Sequence, residues 1–413
     1  MSRVVPFRAL RPAKPFVRQV AAPPYDVLNV SEARQQVRDN PLSFLHVEKS
    51  EIDIPDAAGV EDHRIYTRAK ENLEGMIRRG VLFQEESAAF YLYRQQMGGH
   101  IQTGMVVCAD IAEYETGRIL RHEFTRKDKE KERTLNIDMV GAQTGPVFLV
   151  YCGREEIDRL TARIAERPPE YDFTADDGVR HTVWIIRDPA EIREVEDGFS
   201  AVEKLYIADG HHRVAAAANV ARLRSCRMPG DRGEGEHHLL LAVLFPHDQP
   251  RIMDYNRAVR DLNDLTEAEF LERVDVCFRI EGDFGAMAPG RRHEYGMYLK
   301  GGWRRLTARA EILREDDSVA GLDVSLLQEN LLAPILGIRD QRTDARIEFI
   351  GGIRGMAELE RLVDQAGFAV AFSLYPPTVA QMMAVADQGK VMPPKSTWFE
   401  PKLLSGLFVH LLE

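Results

Sequence analysis

The sequence is poor in cysteine, and it has no long run of apolar residues. Its 413 residues include four cysteines, none of them in a Cys-x-x-Cys pair, so neither a disulfide framework nor a thiolate zinc site is indicated. No segment approaches the roughly 20 apolar residues that a membrane-spanning helix needs. These two absences predict a protein of the reducing cytoplasm that has no membrane partner.

Positive charge is not in excess either. Lysine and arginine number 54 against 65 aspartates and glutamates, which gives a net charge of −11. A protein that coats nucleic acid needs a basic face, so a nucleic-acid partner is not expected. The phosphate-loop, dinucleotide-loop, nucleophile-elbow and HExxH motifs are also absent. Any phosphate site must therefore use another set of residues.

Strand and helix patterns follow one another irregularly along the chain. Residues 87–112 favour a hairpin that turns at Gly98 and Gly99, whereas the apolar spacing over residues 61–82 is typical of a helix. Such a mixture predicts an α+β (mixed α/β) fold rather than a doubly wound parallel sheet. We expect two lobes, residues 1–195 and 196–413.

The sequence LYIADGHHR places an apolar strand pattern directly before Asp209, Gly210, His211, His212 and Arg213, and an alanine-rich helix pattern follows. The first amides of a helix are unpaired and carry partial positive charge, so phosphate is a natural ligand there. Gly210 permits close approach, the histidines and Arg213 can donate hydrogen bonds, and Asp209 can bind Mg²⁺ or accept a proton. Alternatively, Asp209 only caps the helix and the histidines are ordinary surface residues.

A second charged stretch lies at residues 121–133. Most such runs are solvated helix faces, but here His122 stands beside Glu123, which offers an acid–base pair. The charged residues of this stretch are Arg121, His122, Glu123, Arg126, Lys127, Lys129, Lys131 and Arg133.

Three shorter segments supply candidates for binding a substrate. Tyr25 and Asp26 follow two prolines, which stiffen the backbone that presents them. The other candidates are Asn256, Arg257, Lys395, Ser396 and Thr397, with Lys402 nearby in the sequence. Each segment by itself is equally consistent with a structural turn or a surface loop.

The segment 225–238 is rich in glycine and charge, which predicts a flexible loop. His237 and His238 lie within it. Adjacent side chains of an extended chain point in opposite directions, so we expect these two histidines to be incidental rather than ligands of one ion.

Seven motifs, AAPPYDV, NPLSFLHVEK, RHEFTRKDKEKERT, GAQTGPVFLVY, LYIADGHHR, DYNRAV and MPPKSTWFEPK, occur in an order that resembles the bacterial and archaeal family DUF1015 over nearly the whole chain. The DGHHR motif is also similar to that of free-serine kinases with the ParB/sulfiredoxin fold. This second resemblance implies an elaborated ParB/sulfiredoxin-like core. It also implies that Gly210, His211, His212 and Arg213 contact the phosphates of ATP or ADP.

In that interpretation Asp209 assists Mg²⁺ or proton transfer, and His122 and Glu123 join it as catalytic residues. Glu123 is then the candidate base, while Arg121, Lys127 and Arg133 neutralise the transferred phosphoryl group. The sequence therefore predicts a small-molecule kinase that phosphorylates a hydroxyl metabolite such as free L-serine. Two alternatives stay open: a phosphatase or other hydrolase whose metal is bound by His122, Asp209, His211 and His212, and a regulator that binds a nucleotide or phosphometabolite without reaction. A homodimer is equally open.

Overall fold

The computed structural model describes residues 2–57, 59, 61–228, 230–285 and 288–413. The chain forms two compact units, one made of Met1–Pro250 together with Pro401–Glu413 and the other of Arg251–Glu400. Within the described residues, no helix has both the length and the apolar character needed to cross a bilayer.

Strands are present in both units. In chain order they are β1 (Val4–Val5), β2 (Leu10–Pro12), β3 (Leu82–Gln84), β4 (Phe90–Met97), β5 (His100–Asp110), β6 (Ile119–Leu120), β7 (Ala142–Gln143), β8 (Val147–Tyr151), β9 (Tyr171–Thr174), β10 (Arg180–Ile186), β11 (Leu205–Asp209), β12 (Leu239–Pro246), β13 (Arg251–Met253), β14 (Tyr255–Val259), β15 (Phe278–Phe284), β16 (Glu294–Leu299), β17 (Gly302–Ala308), β18 (Ile347–Gly351), β19 (Val370–Leu374), β20 (Trp398–Glu400) and β21 (His410–Leu411).

Helices connect many of these strands. The α-helices are α1 (Val17–Val20), α2 (Val30–Val37), α3 (Leu45–Glu48), α4 (His63–Arg78), α5 (Ala112–Glu115), α6 (Lys127–Val140), α7 (Glu155–Ala165), α8 (Pro189–Ser200), α9 (His211–Arg227), α10 (Glu267–Cys277), α11 (Asp323–Leu327), α12 (Met356–Gln365) and α13 (Val379–Asp387). Short 3₁₀ turns include Ser50–Asp53 and Glu236–His238.

The first unit is built on a nine-stranded sheet with the order β6-β11-β8-β12-β5-β4-β10-β9, in which β1 also pairs with β5. Strand β11 lies between β6, to which it is parallel, and β8, to which it is antiparallel. All five residues of β8 are buried, as expected for a strand that is covered on both faces. Helix α9 packs its alanine-rich face into the same core through Ala217, Ala218 and Ala221.

The predicted mixed α/β fold is confirmed, and so are its clearest local patterns. Strands β4 and β5 form the expected antiparallel hairpin around Gly98 and Gly99. Helix α4 buries the predicted apolar stripe, including Ile65, Ala69 and Leu73. Their sequence patterns identify these elements because each one buries a single face against the core.

The two units do not follow the predicted lobes. The expected boundary between residues 195 and 196 lies inside α8, within the first unit. The reason is the pairing of β11 with β8, which places the strand of the DGHHR motif in the same sheet as the N-terminal half. Sequence periodicity marks strands, but it does not show which strands pair.

The segment 225–238 differs from the predicted flexible loop. Helix α9 continues to Arg227, and a 3₁₀ turn over Glu236–His238 leads directly into β12. His237 is only 4% exposed, and Asp231 accepts several hydrogen bonds. Pro229, which is part of this segment, lies outside the described residues.

The second unit contains an antiparallel sheet of six strands in the order β15-β17-β16-β19-β14-β18. Helix α12 packs on this sheet through Leu359, Leu362 and Val363, in one cluster with Trp303 and Ala371. A separate pair, β13 and β20, joins Arg251 to Glu400, the first and last residues of the unit. The chain therefore enters and leaves the second unit through neighbouring strands.

Candidate active site

The DGHHR motif forms the predicted junction of strand and helix. Strand β11 ends at Asp209 and α9 begins at His211, with Gly210 between them at φ +94°. Side chains other than glycine rarely adopt this conformation, so Gly210 allows the strand to turn directly into the helix. The Gly210 amide donates to Asp209 Oδ1 over 2.8 Å. The motif thus presents Asp209, His211 and Arg213 at the start of a helix of 17 residues.

Asp209 has a cationic partner from the C-terminal segment of the same unit. Lys402 Nζ donates to Asp209 Oδ2 over 2.8 Å, and 39% of the Asp209 side chain remains exposed. Burial by itself raises the pKa of Asp209, but Lys402 and then Arg213 outweigh it and hold this pKa below its usual range. Asp209 is therefore ionised at neutral pH and can be reached by a ligand.

On the β6 side of the motif lies the His122 segment. Ile119 and Leu120 of β6 pair in parallel with Leu205 and Tyr206 of β11, so the residues that follow β6 run alongside the end of β11. The rings of His122 and His211 consequently meet edge to face, with their centroids 4.5 Å apart. The two charged sequence stretches therefore come together, and Glu123 follows directly after His122.

Both of these histidines are neutral at physiological pH. Burial lowers the pKa of His122 to about 4, despite an opposing hydrogen bond with the main chain of Ile207. Burial, followed by the neighbouring His122, holds the pKa of His211 well below its usual range. Each ring can then donate one hydrogen bond without adding a positive charge.

Arg213 lies on the β8 side of the motif. Its Nη1 donates to the Pro146 carbonyl over 2.9 Å, whereas Nη2 is buried and has no hydrogen-bond partner in the part of the chain that the structure describes. The Tyr25 ring is shared by two guanidinium groups, with Arg133 Cζ at 3.9 Å and Arg213 Cζ at 5.5 Å from its centroid. Tyr25 thus holds two cations close together without neutralising them.

Glu48, at the end of α3, supplies a buried acid to this group. It is 3% exposed, its Oε2 lies 3.5 Å from Arg133 Nη1, and no described residue forms a hydrogen bond with its Oε1. The Ser405 hydroxyl is likewise buried, and it has no hydrogen-bond partner within the described ranges. Buried polar atoms are nearly always satisfied, so several unsatisfied atoms in one place indicate a binding site.

These groups converge around Gly145. A Cβ atom at this position would lie 2.8 Å from Ser405 Oγ, 3.2 Å from Glu48 Oε1 and 3.3 Å from Arg213 Cζ. The space between the three polar groups therefore depends on the absence of a side chain at residue 145.

Two clefts open from these residues. The Asp209 cleft has an empty volume of about 290 Å³, which includes space open to solvent, and is lined by Asp26, Asp209, Gly210, Arg213 and Lys402, among others. The Glu48 cleft has an empty volume of about 320 Å³, also partly open to solvent, and is lined by Glu48, Arg133, Thr144, Gly145 and Arg213, among others. Of the described residues, Arg213 is the one that lines both clefts.

The structure brings together most of the residues predicted for the first unit, but not all of them. Tyr25, Asp26, His122, Arg133, Asp209, Gly210, His211 and Arg213 lie at or beside the two clefts. Arg121, Glu123 and Lys127 line neither cleft. Arg121 and Lys127 are exposed, and Arg121 packs over the exposed ring of Phe124. His212, in the first turn of α9, is partly exposed.

Sequence reasoning missed Glu48, Ser405 and the pairing of Lys402 with Asp209. Glu48 stands within the motif NPLSFLHVEK and Lys402 within MPPKSTWFEPK, so the order of the motifs pointed to the right segments. Neither residue has a local pattern that distinguishes it from a surface charge. Ser405 lies outside all of the motifs.

The remaining substrate candidates lie in the second unit. Arg257 is fully buried, its Nη2 donates to the Lys395 carbonyl over 2.9 Å, and its Cζ lies 4.9 Å from the Phe349 ring centroid. Burial lowers the pKa of Arg257 to about 10. Arg257, Lys395 and Ser396 line a cleft of about 350 Å³ within this unit.

Asn256 and Thr397 are not among the residues that line this cleft. Asn256 is fully buried, and its Oδ1 accepts from the Leu374 amide over 3.0 Å, so it connects β14 to the end of β19. This contact gives Asn256 a structural role in the sheet.

The chemistry of the Asp209 cleft suits a magnesium nucleotide. Mg²⁺ is usually bound by one or two carboxylates together with phosphate oxygens, and Asp26 and Asp209 both line this cleft. In contrast, among the described residues His122, Asp209, His211 and His212 do not form a group that could ligate one ion. Asp209 is paired with Lys402, and the His122 and His211 rings meet edge to face, so the metal site of the hydrolase alternative is not supported.

The family model of DUF1015, described as a protein of unknown function, matches residues 4–325 of the chain. The chain belongs to the DUF1015 family. No curated protein matches this DUF1015 member.

Several solved structures are similar to it. A conserved hypothetical protein from Pyrococcus furiosus is 12% identical with a TM-score of 0.35, and the match covers 73% of the present chain and 94% of that one. A free serine kinase in complex with AMP is 12% identical with a TM-score of 0.34, covering 71% and 86% of the two chains. SbnI from Staphylococcus aureus, truncated at its C-terminus, is 9% identical with a TM-score of 0.34, covering 72% and 85%.

Proposed function

We propose that this DUF1015 protein is a kinase that transfers a phosphoryl group from ATP or ADP to the hydroxyl group of a small metabolite. The observation that carries the proposal is the position of Arg213. Arg213 lines two adjoining clefts, and its buried Nη2 has no hydrogen-bond partner among the described residues. A phosphoryl group passing between a donor and an acceptor needs such a cation at the boundary.

In this proposal the donor nucleotide occupies the Asp209 cleft. The start of α9, Arg213 and Lys402 provide positive charge for its phosphates, and Gly210 leaves the backbone open to close approach. Asp26 and Asp209 would hold Mg²⁺, which neutralises phosphate oxygens when it is bound. His211 offers a donor from a neutral ring.

The acceptor is assigned to the Glu48 cleft. This cleft presents one carboxylate, Glu48, together with two guanidinium groups, Arg133 and Arg213. Paired opposite charges suit a small zwitterion, because Glu48 can bind an ammonium group and an arginine can bind a carboxylate. Free L-serine has both groups and a hydroxyl, which makes it the leading acceptor.

The reaction requires one bond to form and one to break. The acceptor oxygen bonds to the terminal phosphorus, and the bond from that phosphorus to the bridging oxygen breaks, which releases ADP from ATP or AMP from ADP. The hydroxyl proton passes to a carboxylate, for which Glu123 remains our candidate because it directly follows His122, whose ring contacts that of His211. Arg213 and Lys402 stabilise the charge on the transferred group.

The first test measures phosphoryl transfer from labelled ATP and ADP to a panel of hydroxyl metabolites that includes L-serine. Asp209→Asn should abolish product formation, since its carboxylate and its Lys402 contact are both at the donor cleft. Glu123→Gln should mainly lower kcat, and Glu48→Gln should mainly raise the KM for a zwitterionic acceptor. Glu166→Gln, an exposed acid at the end of α7, is the control.

Each outcome separates the functional alternatives. Phosphoserine formed by the wild type and lost in Asp209→Asn supports the kinase. Saturable nucleotide binding without product from any acceptor would overturn the kinase in favour of the regulator. If neither nucleotide binding nor product formation is detected, the proposed nucleotide site is rejected.

A further inference from the structure

Asp231, His237 and His238 form a polar cluster between the end of α9 and the start of β12. One carboxylate oxygen, Asp231 Oδ2, lies 3.1 Å from His237 Nε2 and 2.7 Å from His238 Nε2. The Ser225 hydroxyl donates to the same oxygen over 2.5 Å. The three candidate ligand atoms, one from each of Asp231, His237 and His238, all lie within 4.8 Å of one another.

This geometry contradicts the expectation that adjacent histidines point apart. Residues 236–238 form a 3₁₀ turn instead of a strand, and the two imidazole rings lie with their centroids 4.3 Å apart. A turn does not impose the alternation of an extended chain, so both Nε2 atoms can face the same carboxylate.

Two imidazole nitrogens and one hydroxyl thus converge on a single carboxylate oxygen. A divalent cation placed among these atoms would bind both Nε2 atoms, each without a proton, and Oδ2 directly. Nitrogen and carboxylate ligands bind Zn²⁺ at about 2.0–2.2 Å. The donor atoms are already close enough to one another for small shifts to produce that arrangement.

We infer that Asp231, His237 and His238 form a binding site for a transition-metal ion of the Zn²⁺ type. Three protein ligands complete most of a tetrahedral shell and leave one position for water or the Ser225 hydroxyl. This site is distinct from the two clefts and does not depend on the proposed kinase activity.

Neighbouring groups hold the ligands in place. Asp231 Oδ1 accepts from the Gly233 amide over 3.0 Å, which fixes the orientation of the carboxylate. Glu236, at the start of the 3₁₀ turn, accepts from His410 of β21 over 2.7 Å. The contact of Gly233 with Asp231 is of the kind that orients a carboxylate ligand of a metal ion.

The three ligands are sufficiently buried to exclude most water, but an ion can still reach them. The exposed fraction of the side chain is 4% for His237, 11% for Asp231 and 23% for His238. The ion would connect Asp231 to the 3₁₀ turn that precedes β12. Because the unfolded chain lacks the site, binding should stabilise the fold.

The test uses the full chain after removal of metal with a chelator and dialysis. Isothermal titration with Zn²⁺ should give one site per chain, and thermal unfolding should show a higher Tm with Zn²⁺. Asp231→Asn and His238→Gln should each weaken Zn²⁺ binding at least tenfold. His63→Gln, at the exposed start of α4, and His122→Gln, at the paired rings beside α9, should leave it unchanged.

His238→Gln keeps the proposal testable even if His237→Gln fails to fold, since His238 is the most exposed of the three ligands. Co²⁺ can replace Zn²⁺ and report nitrogen ligation through its visible spectrum. Absence of stoichiometric Zn²⁺ binding to the wild type would overturn the site, as would equal affinity in the wild type, Asp231→Asn and His238→Gln.

Discussion

Arg213 combines geometric and electrostatic roles at the scale of a single residue. One nitrogen, Nη1, is fixed by the Pro146 carbonyl, and this contact leaves the other, Nη2, available at the boundary of the clefts. A planar guanidinium can make both contacts at once, whereas a lysine ammonium is a single point of charge on a flexible chain.

We therefore expect Arg213→Lys to weaken ADP binding about tenfold or more, although it conserves the charge. Isothermal titration with Mg²⁺ and ADP measures the effect. Arg222→Lys, an exposed position on the same helix, is the matched control. Equal affinities for the wild type and Arg213→Lys would show that Nη2 does not contact the nucleotide.

Because His122 is buried and its pKa is lowered, we expect the folded protein to lose stability in weak acid. The pKa of His122 is about 4 in the folded protein but near 6.5 in the unfolded chain. Between these values the unfolded state binds more protons, so the free energy of unfolding falls as the pH falls from about 6.5 to 4, by roughly 3 kcal/mol for this residue. Urea unfolding at pH 7 and pH 5 should show the decrease.

The variant His122→Gln should show a smaller decrease over the same pH interval, because glutamine does not titrate. His181 continues to contribute in that variant, since burial also lowers its pKa to about 4. An identical pH dependence in His122→Gln and in the wild type would contradict the assignment to His122.

The residues that sequence reasoning recognised are those with an unusual local pattern. Asp209–Arg213 stand at a junction of strand and helix, and His122 and Glu123 begin a charged run. Glu48 resembles any charged residue near the end of a short helix, and its role depends on contact with Arg133, distant in sequence. The contact between Lys402 and Asp209 spans 193 positions, which no local pattern encodes.

At the scale of elements, strand β8 and the turn before it shape the Glu48 cleft. Gly145→Ala should reduce phosphoryl transfer substantially while preserving the fold, because the new methyl group would lie against Ser405, Glu48 and Arg213. Gly153→Ala, which follows β8 and whose nearest contact would be an ordinary 3.5 Å, is the control. Transfer rates and circular dichroism spectra of both variants check this prediction. Full activity in Gly145→Ala would place the acceptor elsewhere.

Elements were predicted best where the apolar pattern is continuous. Helix α4 and the hairpin of β4 and β5 each have a regular period, and both form as expected. The segment 225–238 was predicted poorly, because glycine and charge suggest disorder whereas its order comes from hydrogen bonds to Asp231. The composition of a segment indicates its tendency to be disordered by itself, but it does not show which hydrogen-bond partners the folded chain provides.

At the scale of the whole molecule, the second unit is inserted into the first. Arg251 and Glu400 are paired across β13 and β20, so the two points of connection are neighbours. Paired residues of antiparallel strands lie about 5 Å apart, a gap that a few flexible residues can span.

We expect a chain in which a short glycine-serine linker replaces residues 251–400 to fold and to bind ADP with an affinity close to that of the full protein. The first unit retains its own nine-stranded sheet and both clefts around Arg213. Circular dichroism and titration with ADP test the prediction. A shortened chain that is unfolded would show that the first unit depends on the second.

The pairing of Lys402 with Asp209 has a consequence for biosynthesis. The ribosome must complete residues 251–400 before Lys402 is made, which at typical rates of translation takes on the order of ten seconds. During that interval the nascent chain has Asp209 without its ammonium partner and β7 without β21. The Asp209 cleft can therefore be completed only after the inserted unit has been synthesised and has had time to fold.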